Sequence, residues 1–214
     1  MEGQGVHRPV WRRFKERFLE RAVAHVHAGG HAVVVRDAGQ VEVLLGVDAS
    51  GSVTALGLWA LLAIGQRRWA RVEAGAARGL ASAVVGARQV GSVLDWCDRD
   101  GVHEGATREI LLDCLACAAC CRDGRVVLDD EDLARFEAAG RAELGGSVFV
   151  RRAGGKAVLR LASDGRCKHL EEERRCAIYA IRPGNCRAFL MGSEACLAAR
   201  EETLGLRDGA PLEG

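Results

Sequence analysis

Apolar positions along the first hundred residues recur at two different periods. Trp11, Phe14 and Phe18 keep the i, i+3, i+7 spacing of one helical face, and Pro9 suits a first helical turn. This stretch therefore predicts a helix. Arg12, Arg13, Lys15 and Arg17 lie between those positions, giving a basic amphipathic helix that packs its aromatic face on its own domain or meets a membrane surface or acidic partner. "HAVVVR" and "VEVLLGV", separated by "DAGQ", predict two strands joined by a turn. From Gln66 to Trp96, Trp69, Val72, Ala76, Leu80, Val84 and Val90 return to helical spacing. Gly75, Gly79 and Gly86 oppose that helix, each at a cost of about 1 kcal/mol relative to Ala.

The second half carries sharper punctuation. "LDDEDLARFEAAGR", residues 128–141, predicts a helix with Asp129 as N-cap, acidic residues complementing the dipole in its first turn, and Gly140 as its stop. "SVFVRRAGGKAVLRLAS" predicts a hairpin about "AGGK", and "SEACLAAREETLGL" a short helix after Ser193. The fold class that follows is α+β. A helix-rich N-terminal region of unassigned role, residues 1–108, precedes a small metal-organised cysteine domain, residues 109–214, built from short helices and a short hairpin.

Composition narrows the function classes. Hydrophobic residues make up 49% of the 214 and charged residues 28%, a soluble globular balance. Thirty basic residues face 29 acidic ones, for a net charge of +1, which argues against general nucleic-acid affinity. The longest apolar run, "LGLWALLAIG", is roughly half of the ~20 residues that a membrane span needs. The charged opening "MEGQGVHRPVWRRFKERFLERA" lacks the apolar core of a secretory signal. The chain is thus expected in the reducing cytoplasm, where nine cysteines are explained by metal before disulfides.

Eight of the nine lie between 114 and 196; Cys97 stands alone and reads as a small buried hydrophobe. Cys114, Cys117 and Cys120 have the C-x2-C-x2-C spacing that sets three thiolates around a cubane iron–sulfur cluster, the fourth ligand arriving from elsewhere. Structural zinc more often draws two ligands from each of two loops. Cys121 follows at once, and neighbouring side chains diverge, so Cys120 and Cys121 are not expected to bind one ion in the same way. With Cys167, Cys176, Cys186 and Cys196 downstream, two clusters, two zincs, one of each, or a single site all remain open. His169 is a further candidate, as a nitrogen ligand or a neighbour of the site. The "EEERR" run at 171–175 reads as a solvated loop.

The ordered set "CLACAACC", "GRCKHL", "RCAIYAIRPGNCRAF" and "EACLAAREETLGL" resembles the CxxCxxCC cysteine-cluster family, the YkgJ-like zinc- or iron-chelating proteins, over roughly residues 110–212. The resemblance implies a metal-binding cysteine domain, often described as an iron–sulfur oxidoreductase without a settled substrate. Its implied ligands are Cys114, Cys117, Cys120, Cys121, Cys167, Cys176, Cys186 and Cys196, and Tyr179, Arg182, Pro183 and Arg187 match the central motif. The family's proline after "CRxF" is missing, "CRAFLMG" standing instead. Pro183 is expected to start the helix that carries Cys186. Arg182 and Arg187 would offset thiolate charge or bind an anionic substrate, and Tyr179 would screen the site from water or simply pack. The cofactor expected is an iron–sulfur cluster, favoured by the triple spacing, used in redox or group-transfer chemistry. The alternative is a structural zinc module that mediates a protein interaction. No metalloprotease, Walker or dinucleotide motif supplies a substrate.

Overall fold

The computed structural model of the chain describes residues 4–36, 39–122, 124–172 and 175–208. Asp37 and Ala38 of the expected turn, and Glu173 and Arg174 of the charged run, lie outside the described residues. The chain divides into two compact units. Among the described residues the first takes Gln4–Leu111, Gly192–Ala198 and 207–208, and the second Leu112–Met191 and Ala199–Leu206.

The first unit runs β1 (Gln4–Pro9), β2 (Trp11–Lys15), α1 (Leu19–His27), β3 (His31–Val35), β4 (Val41–Leu45), α2 (Ala55–Ala63), β5 (Ala70–Arg71), β6 (Ala81–Val84), α3 (Val90–Asp100) and β7 (Thr107–Leu112). Five strands form one sheet in the order β2-β3-β4-β6-β5, and β1 pairs with β7. Strands β2 and β3 are parallel, joined through α1, with Trp11 opposite His31. The remaining pairs of that sheet are antiparallel, Val33 facing Val43 and Val43 facing Ala83. Side chains alternate across a strand, so the sheet carries two apolar faces. Trp11, Val33, Val43 and Ala81 pack with Ala60 and Leu61 of α2 and Val93 and Trp96 of α3. Ala32, Val34 and Leu44 pack with Ala22, Val23 and Val26 of α1.

This geometry corrects two expectations. The segment from Pro9 is strand rather than helix. Trp11 joins one apolar cluster and Phe14 the other, a split that strand alternation produces and a single helical face does not. Helix from 66 to 96 is likewise replaced by β5, a turn and β6, with helix only from Val90. Gly75 and Gly79 adopt φ of +79° and +88°, a region that breaks a right-handed helix. The strand pair β3–β4 is as expected.

Polar anchoring in this unit is buried and ionic. Glu194 accepts from Trp11 Nε1 at 2.8 Å and from Arg99 Nη1 at 2.6 Å, and pairs with Arg8. Asp100 accepts from the Trp11 main-chain N–H at 3.0 Å and from Arg99 Nε at 2.9 Å. Burial pushes the Asp100 carboxyl up, but these hydrogen bonds and the Arg8 charge outweigh it and hold it below the ordinary carboxylate range.

The second unit runs α4 (Cys114–Cys117), β8 (Val127–Leu128), α5 (Asp130–Ala138), β9 (Val150–Ala153), β10 (Lys156–Leu159) and α6 (Gly184–Ala188); α7 (Glu194–Leu204) is divided between the units. The sheet order is β8-β10-β9, all antiparallel. Gly154 and Gly155 turn the β9–β10 hairpin with φ of +58° and +74°, the pair of positive values that a tight two-residue hairpin requires. Asp129 caps α5 in a reciprocal box with Asp132, and Gly140 follows its end at φ +70°. Leu128, Phe136, Leu144, Val150, Leu159 and Ile178 form the core. The architecture is α+β, and among the described residues no helix is long and apolar enough to cross a membrane.

Candidate metal centre

The first cysteines are set by two short turns. Asp113 caps α4, accepting from the Leu115 N–H at 2.9 Å and the Ala116 N–H at 3.3 Å. Ala118 then takes a left-handed φ of +52°, ending α4 and opening a 3-10 turn, Ala119–Cys121. A non-glycine residue in that region is uncommon, and here it redirects the chain between Cys117 and Cys120. The Cys114 thiol lies 3.2 Å from Met191 Sδ, and Arg200 Nη1 donates to Cys117 Sγ at 3.2 Å.

Main-chain pairing brings the next loops in. The Cys167 N–H donates to the Cys121 carbonyl at 2.9 Å beside an Arg122–Arg166 bridge. Leu170 bridges to Cys176, and the Ala177 N–H donates to the His169 carbonyl at 2.8 Å. The His169 main-chain N–H opposes the rise of the Cys167 thiol, and that of Ile178 the rise of Cys176. Both are amides two residues on, donors that favour the thiolate a metal needs.

Cys186 rides on α6, which Pro183 caps as expected. Two ties hold α6 in place. Asp132 Oδ1 accepts the Gly184 N–H at 2.7 Å, and Asn185 Nδ2 donates to the Val127 carbonyl at 3.0 Å. Asp132 also accepts from Arg135 Nη1 at 2.7 Å.

Electrostatics joins these thiols into one group. Burial, with the charges of Cys167, Cys176 and Cys120, pushes Cys186 up to about 12. Burial, Cys120 and Cys117 push Cys114 up, and burial with Cys176 raises Cys167 despite the His169 amide. The adjacent Cys120 and Cys121 thiols shift each other in opposite directions, Cys120 lowered and Cys121 raised. Opposing them, the Arg182 guanidinium lowers Cys114, Cys120, Cys176 and Cys186 alike. It stacks 4.1 Å from the centre of the Tyr179 ring. Arg187 is exposed. Arg182 is thus the countercharge, and Tyr179, itself 38% exposed, serves as its platform.

Cys196 is buried on α7 in the stretch that belongs to the first unit. Cys97 is buried among Val93 and Trp96, its thiol pushed up to about 12 by burial. His169 stacks on Phe149 at 4.6 Å, with Nε2 buried and without a hydrogen-bond partner among the described residues. Sequence reasoning missed Asp132, Met191 and Arg200 as neighbours of the cysteines. Asp132 was visible only as the first-turn acid of its own helix.

Among the described residues no group of three or more Cys, His, Asp or Glu side chains stands assembled as a metal-holding set. The donor chemistry nonetheless fits a soft cation. Thiols that raise one another's pKa lose that repulsion when a cation takes their charge, and the two amide donors already favour thiolate.

The CxxCxxCC family model, described as "Putative zinc- or iron-chelating domain", matches residues 113–203. No curated protein and no solved structure matches the chain.

Proposed function

We propose that residues 113–203, which match the family model of a zinc- or iron-chelating domain, hold an iron–sulfur cluster. Cys114, Cys117 and Cys120 would provide three thiolates and Cys186 the fourth, with Cys121, Cys167 and Cys176 able to serve a second site and Cys196 the eighth candidate. The observation that carries this reading is the turn geometry: the triple lies on α4 and the 3-10 turn after it, with Ala118 redirecting the chain between Cys117 and Cys120. Three thiolates at two-residue intervals with a distant fourth is the ligation pattern of such clusters.

When bound, a cluster supplies one-electron transfer. The chain's own residues set the conditions for it. Arg182 offsets thiolate charge, Arg200 donates to Cys117 Sγ, and the main-chain N–H groups of His169 and Ile178 oppose the rise of Cys167 and Cys176, all of which favour the more reduced, more negative state. One observation favours a second reading, structural zinc: Cys121, Cys167 and Cys176 come from separate loops tied by main-chain bonds, as closed zinc sites are built.

Anaerobic purification tests the choice. The cluster reading expects brown protein with acid-labile sulfide that bleaches partly on dithionite. Colourless, sulfide-free protein that keeps stoichiometric zinc after attempted cluster reconstitution would establish the zinc reading instead.

A further inference from the structure

The first unit contains a cleft of about 610 Å³, bounded by the β1 end, the α1–β3 turn and the start of α2. We infer that this cleft binds the phosphate group of a small phosphomonoester, seated at the N-terminus of α2. The site is separate from the cysteines and does not depend on the metal that they take.

The first observation is the helix start. Thr54 is the N-cap of nine-residue α2, yet its side chain makes no capping bond, and no acidic residue occupies the first turn. The first bond of the helix is Leu58 N–H to the Thr54 carbonyl at 2.8 Å, so the N–H groups of Ala55 and Leu56 have no intrahelical acceptor. Both residues line the cleft. Free amides with the positive end of a helix dipole favour an anion.

The second observation is independent of the helix. Arg8 and His31, 2% and 3% exposed, line the same cleft. Arg8 Nε, His31 Nε2 and Thr54 Oγ1 are all buried without a hydrogen-bond partner among the described residues. The Arg8 guanidinium is fixed by Glu194 and lies 3.6 Å from Asp100, so its unpaired Nε is held rather than mobile. Buried polar atoms left unpaired are costly, and all three belong to residues that line one cleft.

The mixture of donors and acceptors selects the chemistry. Burial first, only partly countered by the Glu194 charge, keeps His31 neutral by lowering it to about 4. Its Nδ1, 3.1 Å from the Gly30 carbonyl, therefore carries the proton and donates. Nε2 is then an acceptor and needs an O–H. A carboxylate has two acceptor oxygens and no proton to offer at neutral pH. A phosphomonoester has three terminal oxygens for the two amides, Thr54 and Arg8. Its second pKa is about 6, so at neutral pH it still presents a fraction of monoanion whose O–H His31 can accept. The volume lies within the ordinary range for small-molecule sites and exceeds what inorganic phosphate fills, which leaves room for the organic remainder.

The test titrates the full chain, with its metal, against phenyl phosphate, glycerol phosphate, inorganic phosphate and benzoate at constant ionic strength. Amide resonances of residues 54–58 are the readout. Saturable shifts are expected with the esters, at affinities equal to or tighter than that of inorganic phosphate. Thr54→Asp and Ala55→Glu place a carboxylate where the anion would sit while favouring the helix. Each should weaken ester binding at least tenfold with the thermal midpoint unchanged or raised. Absence of shifts, unchanged affinity in both variants, equal binding of benzoate, or binding of inorganic phosphate with the esters excluded would each overturn the inference. Metal content, measured on the same samples, reports separately on the cysteine domain.

Discussion

Replacing Asp132 by Ala should destabilise the cysteine domain far more than loss of a helix cap. The carboxylate is 1% exposed and has three donors: the Asp129 N–H at 3.2 Å, the Gly184 N–H at 2.7 Å and Arg135 Nη1 at 2.7 Å. A hydrogen bond to a charged group contributes about 1.5–3 kcal/mol. The short Gly184 bond merits about 2 and the longer Asp129 bond about 1 on that scale. Arg135 is 23% exposed, so screening limits its pair to about 0.5 kcal/mol. The total is about 3–4 kcal/mol, a large share of the 5–15 kcal/mol typical of a domain. Asp132→Asn keeps acceptors but not charge and should lose about half as much. The sign with pH follows from the same contacts. Burial raises the carboxyl, but the Gly184 N–H, Arg135 and the Asp129 N–H outweigh it and hold it below its ordinary 3.8. Its contribution is therefore fully present above about pH 3.8 and is lost as pH falls through the lowered folded value. Urea unfolding of the protein purified with its metal, from pH 3 to pH 7, measures both effects, and Asp132→Asn should flatten the acid limb. Because Gly184 opens the helix that carries Cys186, Asp132→Ala should also weaken metal affinity. A loss under 1 kcal/mol with unchanged metal affinity would refute the reasoning.

Three further outcomes are expected. Arg182→Gln should raise thiol pKa values in the metal-free protein, seen as several-fold slower alkylation by iodoacetamide at pH 7.5, whereas Arg187→Gln leaves the rate unchanged; equal effects would remove Arg182 as the specific countercharge. Cys97→Ser should leave bound metal unchanged and cost about 1–2 kcal/mol by burying a hydroxyl, while Cys117→Ser should lose metal; the reverse pattern would displace the ligand assignment. Chelation should strip hydrogen-exchange protection around Cys176 and Cys186 and spare β3 and β4; unchanged protection at the cysteines would show a fold that needs no metal.

What the sequence discloses depends on how local the cause is. The α5 helix, its Asp129 cap and its Gly140 stop are readable because capping acts within one turn, and the "AGGK" hairpin because its turn residues are adjacent. The stretch from Trp11 to Phe18 misleads because three aromatic positions fit both a helical face and a strand with residues on opposite sides. What decides between them is non-local: a parallel partner in β3 and an Asp100 carboxylate that accepts the Trp11 N–H. The glycines at 75 and 79 were the stronger signal in their region, and spacing outweighed them wrongly.

The same division runs through the cysteines. Their number and spacing announce soft-metal chemistry, since no packing requirement places four thiols in eight positions. The groups that tune them are recruited across the fold: Arg200 to Cys117, Met191 to Cys114, and Asp132 to the helix bearing Cys186. Between Arg182 and Arg187, which share a motif, only the structure distinguishes a half-buried guanidinium whose charge favours the thiolates of Cys114, Cys120, Cys176 and Cys186 from one that is exposed. Candidate ligands are thus suggested by spacing, while the residues that tune them are found only in contacts between distant positions. Substitutions at Arg182, Arg200 and Asp132 therefore probe how the centre is controlled without removing a single thiol.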